Sequence, residues 1–325
     1  MVAAVVVYSL FTATSALSQN WETLALTRFF TGLGIGAEWG VGASLLQEIW
    51  PNDRRTKGAG VLQAGFSLGF FVASGIWLLF GGVLGLSWRW MYLVGVLPAV
   101  VVALCGRAIP ESSRWVTAAK RTGARFWTIL GGYRRTLVWA VLASIAITVP
   151  FWAISSWVPT YAAGLATSAR NGVYLASMAG ILYAIGEIVG CIGFGFAAES
   201  WGRRPTAVAF FVGSLIITPI VFIVVHDASA VVGLQIVNGI LTGGIYSWYA
   251  IHPPELFPTA IRATSVSFIF NVSRFLAMFG PLVSSALIAF FGGYGIAATA
   301  FALVYLLGVV AVLFLPETKG RPLPD

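Results

Sequence analysis

Charge is scarce in this chain. Only 9% of its 325 residues are Asp, Glu, Lys or Arg, against 58% hydrophobic. A soluble domain carries roughly a quarter charged residues, so this composition cannot cover a water-facing surface. Cysteine is nearly absent: Cys105 and Cys191 both lie in apolar runs, which excludes a disulfide or thiolate-metal framework. No H-E-x-x-H, G-x-S-x-G or G-x-x-x-x-G-K-[ST] occurs, so common hydrolase and nucleotide-binding chemistry lacks its residues. No cofactor is expected, and no enzymatic activity.

Long hydrophobic runs are what the chain does have. A membrane span needs about 20 mostly apolar residues. Ten segments qualify: 1–18, 22–49, 58–82, 88–108, 136–163, 172–197, 205–225, 229–252, 261–289 and 294–315. An even number puts both termini on one side. Fifteen of the 19 basic residues fall in loops on that side, Arg89 and Arg170 fall opposite, and Arg28 and Arg274 lie within spans. Lys and Arg are retained on the cytoplasmic side, so both termini are predicted to be cytoplasmic. The net charge of +8 is thereby explained by separate loops, and a nucleic-acid partner is not expected. The longest connector, 109–135, is basic; Trp115 and Trp127 suit either an interfacial amphipathic piece or a simple tether.

The chain also repeats itself. Glu48-Ile-Trp-Pro51-Asn-Asp-Arg-Arg55 returns 207 residues later as Glu255-Leu-Phe-Pro258-Thr-Ala-Ile-Arg262, both reading E-x-x-P-x-x-x-R. Pro110-Glu111-Ser-Ser-Arg114 is matched by Pro316-Glu317-Thr-Lys319-Gly-Arg321. Gly32, Gly36, Trp39 and Ala43 fall on Gly239, Gly243, Tyr246 and Ala250. Such duplication in a membrane protein points to a transporter with its site at the seam between halves. The division is 1–108, a connector at 109–135, and 136–325. Small residues spaced by four, Gly32, Gly36 and Gly40, and Gly239, Gly243 and Ser247, suit close helix approach.

The charges that flank the repeated loops, Glu48, Arg55, Glu255 and Arg262, with Glu199, Arg203 and Arg204 of the loop after the sixth span, lie where a cytoplasmic gate would close. Ordinary positive-inside anchoring is the plainer alternative. Charges within spans are costly, at ~2.5–3.5 kcal/mol even on the lenient insertion scale, and so call for a function. Arg28, Glu38, Glu187 and Arg274, with Asn271 beside the last, are the candidates for substrate binding and proton coupling. Trp39, Gln63, Trp152 and Tyr246 are candidates to line a cavity.

These motifs resemble a known family. Arg28-Phe-Phe-Thr-Gly32-Leu-Gly34-Ile-Gly36-Ala-Glu38-Trp39-Gly40 looks like the fourth helix of the major facilitator superfamily. Gly195-Phe-Ala-Ala-Glu199-Ser-Trp-Gly202-Arg203-Arg204 resembles its loop signature, with Ser200 in place of a basic residue. The G-x-E-W form, followed by Leu62-Gln63-Ala-Gly65-Phe-Ser-Leu-Gly69, is most similar to the sialate and lactate proton-symporter branch. The sugar porters' Q-Q-x-x-G is absent, Val149-Pro150-Phe151-Trp152 standing in that region, and so is the drug antiporters' G-P-x-x-G-G. The resemblance implies an all-α major facilitator-type bundle in the inner membrane that carries a small organic anion together with protons by alternating access. A sugar porter and a non-transporting membrane fragment are the alternatives. The family has twelve helices. By the 207 offset Met1 corresponds to Val208, so a counterpart of 136–207 is missing and the first two helices are expected to precede this chain.

Overall fold

The computed structural model describes residues 2–51, 54–97 and 131–324; the side chains at 2–4, 37, 38, 40, 41, 169, 170 and 281–285 are outside the description. The described residues form helices and no strand. In order they are α1 (Val2–Ser15), α2 (Trp21–Ile49), α3 (Arg55–Trp77), α4 (Arg89–Val94), α5 (Arg134–Gly164), α6 (Ala169–Ser200), α7 (Arg203–Pro219), α8 (Ala228–Asn238), α9 (Ser247–Leu256), α10 (Thr259–Ala277), α11 (Phe279–Phe290), α12 (Tyr294–Ala302) and α13 (Val304–Leu313).

Helix starts follow their capping residues. The Asn20 side chain accepts the Thr23 N–H at 2.9 Å and opens α2. Asp227 does the same for α8 through the Ala230 N–H at 2.8 Å, and Ser168 for α6. A side-chain oxygen here satisfies an N–H that the helix itself cannot. Several spans are not pure α-helix. π-helical turns occupy Leu78–Val83, Ile220–Val224 and Gly239–Gly243. The second follows Pro219, whose ring removes a backbone donor from the ladder.

Six helical stretches are long and apolar enough to cross a membrane: Arg55–Val83, Arg134–Gly164, Asn171–Ser200, Arg203–Val224, Ala228–Leu256 and Tyr294–Leu313. Each falls within a few residues of an expected span. The other four expected spans differ for identifiable reasons. The first is a short apolar helix. The second, α2, has the length but carries Glu22, Arg28, Glu38 and Glu48. The span at 261–289 is divided at Met278 into α10 and α11. That at 88–108 begins as α4 and then leaves the described residues, as does the connector with Pro110, Glu111, Trp115 and Trp127.

α1 packs on α2, α2 on α10, and α3 along α6; α5 lies against α6, α10 and α13. α6 in turn packs on α8 and the π turn that follows it. Lipid tails are as apolar as Leu, so helix association here comes from close packing and interhelical hydrogen bonds. The core is built accordingly, with small side chains such as Ala140, Ala143, Ala146, Ala179 and Ala198 among Ile147, Phe151, Phe194, Phe211 and Tyr249. A Cβ on Gly239 would stand 2.1 Å from the Tyr183 carbonyl oxygen, and one on Gly243 would stand 2.4 Å from Glu187 Cγ. Only glycine allows α6 this close. The matching glycines of α2 are different: among the described residues a Cβ on Gly32 would meet nothing within 4 Å, and one on Gly36 only Asn271 Oδ1 at 3.3 Å. The close approach expected at both glycine rows is thus present in one.

Candidate functional site

The two E-x-x-P-x-x-x-R motifs pair with each other. Arg262 Nη1 donates to Glu48 Oε1 at 2.7 Å, and Arg55 Nε donates to Glu255 Oε1 at 3.1 Å. The acid of each repeat therefore holds the arginine of the other. Arg203 adds two bonds to Glu255, Nε to Oε2 at 2.9 Å and Nη2 to Oε1 at 2.8 Å. The Thr318 hydroxyl donates to the same carboxylate. Arg55, Arg203, Glu255 and Arg262 are all nearly inaccessible. Buried charges are tolerated when paired and further hydrogen-bonded, and these meet that condition.

A strap formed by the last residues completes the cluster. Arg55 Nη2 donates to the Arg321 carbonyl at 2.8 Å, and Arg262 Nη2 donates to the Pro324 carbonyl at 2.7 Å. Glu317 accepts the N–H groups of Arg203 at 3.0 Å, Arg204 at 2.9 Å and Lys319 at 2.9 Å, closing the start of α7. Partial burial would raise the Glu317 pKa; the N–H groups of Arg204, Arg203 and Lys319 outweigh it and hold the carboxyl below its ordinary value. His252 is fixed between two groups: the Trp248 indole N–H donates to Nδ1 at 3.1 Å, and Nε2 meets the Pro316 carbonyl at 2.9 Å. With Nδ1 accepting, Nε2 carries the proton.

Of the seven expected gate residues, five join this cluster of ion pairs. Glu199 makes no ion pair among the described residues: it lies within electrostatic reach of Arg203, but its Oε2 is buried without a hydrogen-bond partner. Arg204 spends its guanidinium on the Leu313 carbonyl at 2.6 Å instead of on an acid. Thr318 and the strap carbonyls were not anticipated. The repeated Pro-Glu motif at Pro316 was the available signal for Glu317, whereas a carbonyl acceptor leaves no trace in a sequence.

The mid-span candidates occupy a second region. The Arg274 guanidinium stacks over the Phe270 ring at 4.0 Å, and its buried Nε has no acceptor. Trp39 stacks on the same Phe270 at 5.1 Å, and its indole N–H is likewise without a partner. Asn271 donates to the Ser267 carbonyl at 2.8 Å and reaches the Gly36 carbonyl at 3.4 Å, bridging α10 to α2. The Tyr246 hydroxyl lies within electrostatic reach of Arg274 and Glu187, beside the Thr148 hydroxyl. Glu187 and Gln63 are each buried with one side-chain oxygen unpaired. Buried polar groups are nearly always hydrogen-bonded, so the unpaired atoms on Arg274, Trp39, Glu187 and Gln63 mark these residues as candidates for contact with a polar ligand. Beside Arg274 lies a hydroxyl knot missed by sequence reasoning. Tyr249 bonds Ser144 at 2.6 Å and Ser273 at 3.2 Å, and Thr148 joins Ser273 at 3.0 Å.

Arg28 stands apart from both regions. It donates to Ser15 Oγ at 2.8 Å and Thr31 Oγ1 at 3.2 Å and lies over the Tyr92 ring at 4.6 Å. The Glu38 side chain lies outside the described residues. Trp152 borders two cavities. One, of about 700 Å³, is lined by Trp157, Phe279, Tyr294 and Phe301 among others. The other, of about 470 Å³, reaches Glu187 between α3, α5 and α6. Among the described residues no three His, Cys, Asp or Glu side chains gather where a metal could be held.

The profile of the Major Facilitator Superfamily matches residues 1–198. A protein titled "Probable 4-methylmuconolactone transporter" from Cupriavidus pinatubonensis is 27% identical, covering 98% of this chain and 75% of its own length. The "Cis,cis-muconate transport protein" of Acinetobacter baylyi is 28% identical over 99% of this chain and 79% of its own. A sialic acid transporter of Escherichia coli is 27% identical over 90% and 71%. These relatives are named as transporters and none as an enzyme. Among solved structures, a proton:xylose symporter superposes with a TM-score of 0.69 at 19% identity, over 99% of this chain and 81% of that one, which supports the fold alone.

Proposed function

Because this chain belongs to the Major Facilitator Superfamily and is therefore a multi-pass membrane transporter, we propose that it carries a small organic acid together with a proton by alternating access. The observation that carries this reading is Arg274, a cation held within the bundle on an aromatic face with an unused donor. An anionic substrate would supply the missing acceptor and offset the cost of the buried charge while bound. The names of the relatives, muconate and sialic acid transporters among them, support an anion over a neutral sugar. Glu187, 1% exposed and without an ion-pair partner among the described residues, is the proton carrier in this reading, with Glu38 as the second candidate. One proton per carboxylate cancels the substrate charge, so uptake follows the pH gradient and responds little to voltage.

The ion-paired end faces the cytoplasm together with both termini, in accord with the basic loops on that side. The cross-paired Glu48–Arg262 and Glu255–Arg55 then latch residues 1–108 to residues 136–325 when the carrier is closed toward the cytoplasm, and separate when it opens.

The test is pH-jump uptake in proteoliposomes. Arg274→Gln should weaken anion binding at least tenfold. Glu187→Gln or Glu38→Gln should abolish proton-driven accumulation and spare exchange of internal for external substrate. Unchanged anion affinity in Arg274→Gln would remove the basis of the reading.

A further inference from the structure

The cavity between α3, α5 and α6 places aromatic rings around one carboxylate, that of Glu187. Phe70 and Tyr183 stand perpendicular with centroids 6.2 Å apart, Phe151 and Trp152 likewise at 5.6 Å, and Phe66 adds a fifth ring. Gly65 and Gly69 leave a further wall as bare backbone: among the described residues a Cβ on either would meet nothing within 4 Å. Phe66 and Trp152 are exposed while Tyr183 and Glu187 are buried, so the carboxylate lies at the closed end. The Tyr183 hydroxyl is engaged with Thr242 Oγ1 at 2.9 Å. The Ser67 hydroxyl lies beside the Glu187 carboxyl group, whose Oε1 has no hydrogen-bond partner. A carboxylate inside a bundle is tolerated when a cation pairs with it. Here the protein supplies none: no basic residue lines the cavity, and Glu187 makes no ion pair among the described residues.

We infer that this cavity binds an organic cation, a quaternary ammonium or protonated amine with apolar substituents, whose charge pairs with Glu187. Aromatic faces attract a cation within about 6 Å of the ring centroid, more strongly where water is excluded. An anion would meet the same negative ring faces and the Glu187 charge as well. A neutral polyhydroxylated ligand would bury hydroxyls against rings that cannot bond them. Cation and proton are alternatives at one carboxylate, so binding strengthens as pH rises, until Glu187 is ionised. The titratable groups within reach of Glu187 are Tyr183 and Cys191 on its own helix and Tyr246 after the π turn, none of them basic. α3 and α5 bring no titratable group to the lining. The site makes no use of Arg274 and is independent of which acid is carried.

The experiment is equilibrium dialysis of labelled benzyltrimethylammonium with the full chain purified in detergent. Binding should be saturable, and unlabelled tetraethylammonium should displace the label. Benzyl alcohol and phenylacetate, a neutral and an anionic ring compound, should compete at least tenfold more weakly than unlabelled benzyltrimethylammonium. Raising the pH from about 5 to about 9 should tighten binding at least tenfold in wild type. Glu187→Gln should weaken binding at least tenfold at the higher pH and abolish the pH dependence, whereas Glu187→Asp should keep it. Phe70→Leu should weaken binding severalfold without changing the pH dependence. Displacement by phenylacetate or benzyl alcohol as effective as by the cation would overturn the site. So would wild-type binding that is absent or unmoved by pH, or full affinity in Glu187→Gln. The wild-type pH profile decides the matter even if a variant fails to fold.

Discussion

Gly32 and Gly36 occupy the same repeat positions as Gly239 and Gly243, yet the two pairs serve different surroundings. The second pair lies against the backbone of α6 and the stem of Glu187; among the described residues the first meets only the tip of Asn271. Burial follows the same division. Within its most apolar stretch, 6% of Arg55–Val83 is buried against 56% of Arg134–Gly164. The acidic and basic motifs of the two repeats, by contrast, remain functionally joined, each acid holding the other repeat's arginine. The polar contacts join the two repeats, while the glycine rows differ in what they touch. Glycine spacing alone thus permits close packing without compelling it.

The strongest way to break this comparison is substitution at the crowded glycine. Gly239→Val places a branched side chain where the Tyr183 carbonyl already stands, and should abolish recovery of folded protein in detergent, because overpacking a tight core costs about 1–3 kcal/mol or more. Ordinary yield and melting temperature for this variant would show that α8 is not held against α6 as described.

The latch offers the next largest contrast. Arg203→Ala removes two bonds to Glu255, one to Thr56 and one to the Ala198 carbonyl. Arg55→Ala leaves Glu255 bonded to Arg203 and Thr318. Breaking one partner of a buried charge pair costs about 3–5 kcal/mol; thermal unfolding should place Arg203→Ala near that range and Arg55→Ala well below it. Equal losses would mean that Glu255 does not share its two arginines as the geometry indicates.

Glu317 allows a pH measurement. Its folded pKa is lowered, so its contribution is present above the ordinary carboxylate range and is lost as pH falls through the folded value. Glu317→Gln should be less stable than wild type at neutral pH, and the gap should narrow on acidification below about pH 4.5. A gap that is constant with pH would assign the residue a role independent of its charge. The smallest loss belongs to Gly32→Ala, where the new methyl meets no described atom within 4 Å: the variant should lose no stability, and helix propensity favours it by up to about 1 kcal/mol. A large loss there would restore symmetry to the two glycine rows.

Much of the fold was legible because apolar runs of span length have few other uses, and six of them coincide with crossing helices. Residue types at the latch were legible from their repeated spacing. Their partners were not, since Glu48 and Arg55 share a motif and invite pairing within it, whereas the structure bonds them across a separation of two hundred residues. The mid-span candidates Arg274, Trp39, Gln63, Tyr246 and Glu187 stood out as polar groups in apolar surroundings; Arg274, Trp39, Gln63 and Glu187 each carry an unpaired buried atom. The hydroxyl knot of Ser144, Thr148, Tyr249 and Ser273 remained hidden because isolated hydroxyls in apolar helices have no pattern, and its four members come from three segments.

The strap holds Arg55 and Arg262 through the carbonyls of Arg321 and Pro324. Every residue type presents the same carbonyl, so substitution at these two positions leaves the acceptors in place. Chain length and path are another matter: deletion or insertion of one residue between Leu315 and Arg321 shifts both acceptors off their arginines together. In a scan of this segment, single replacements at 321 and 324 should be broadly accepted, while changes of length fail, so that these two positions are constrained by geometry and almost unconstrained in spelling, unlike Glu317 and Thr318, which act through their side chains.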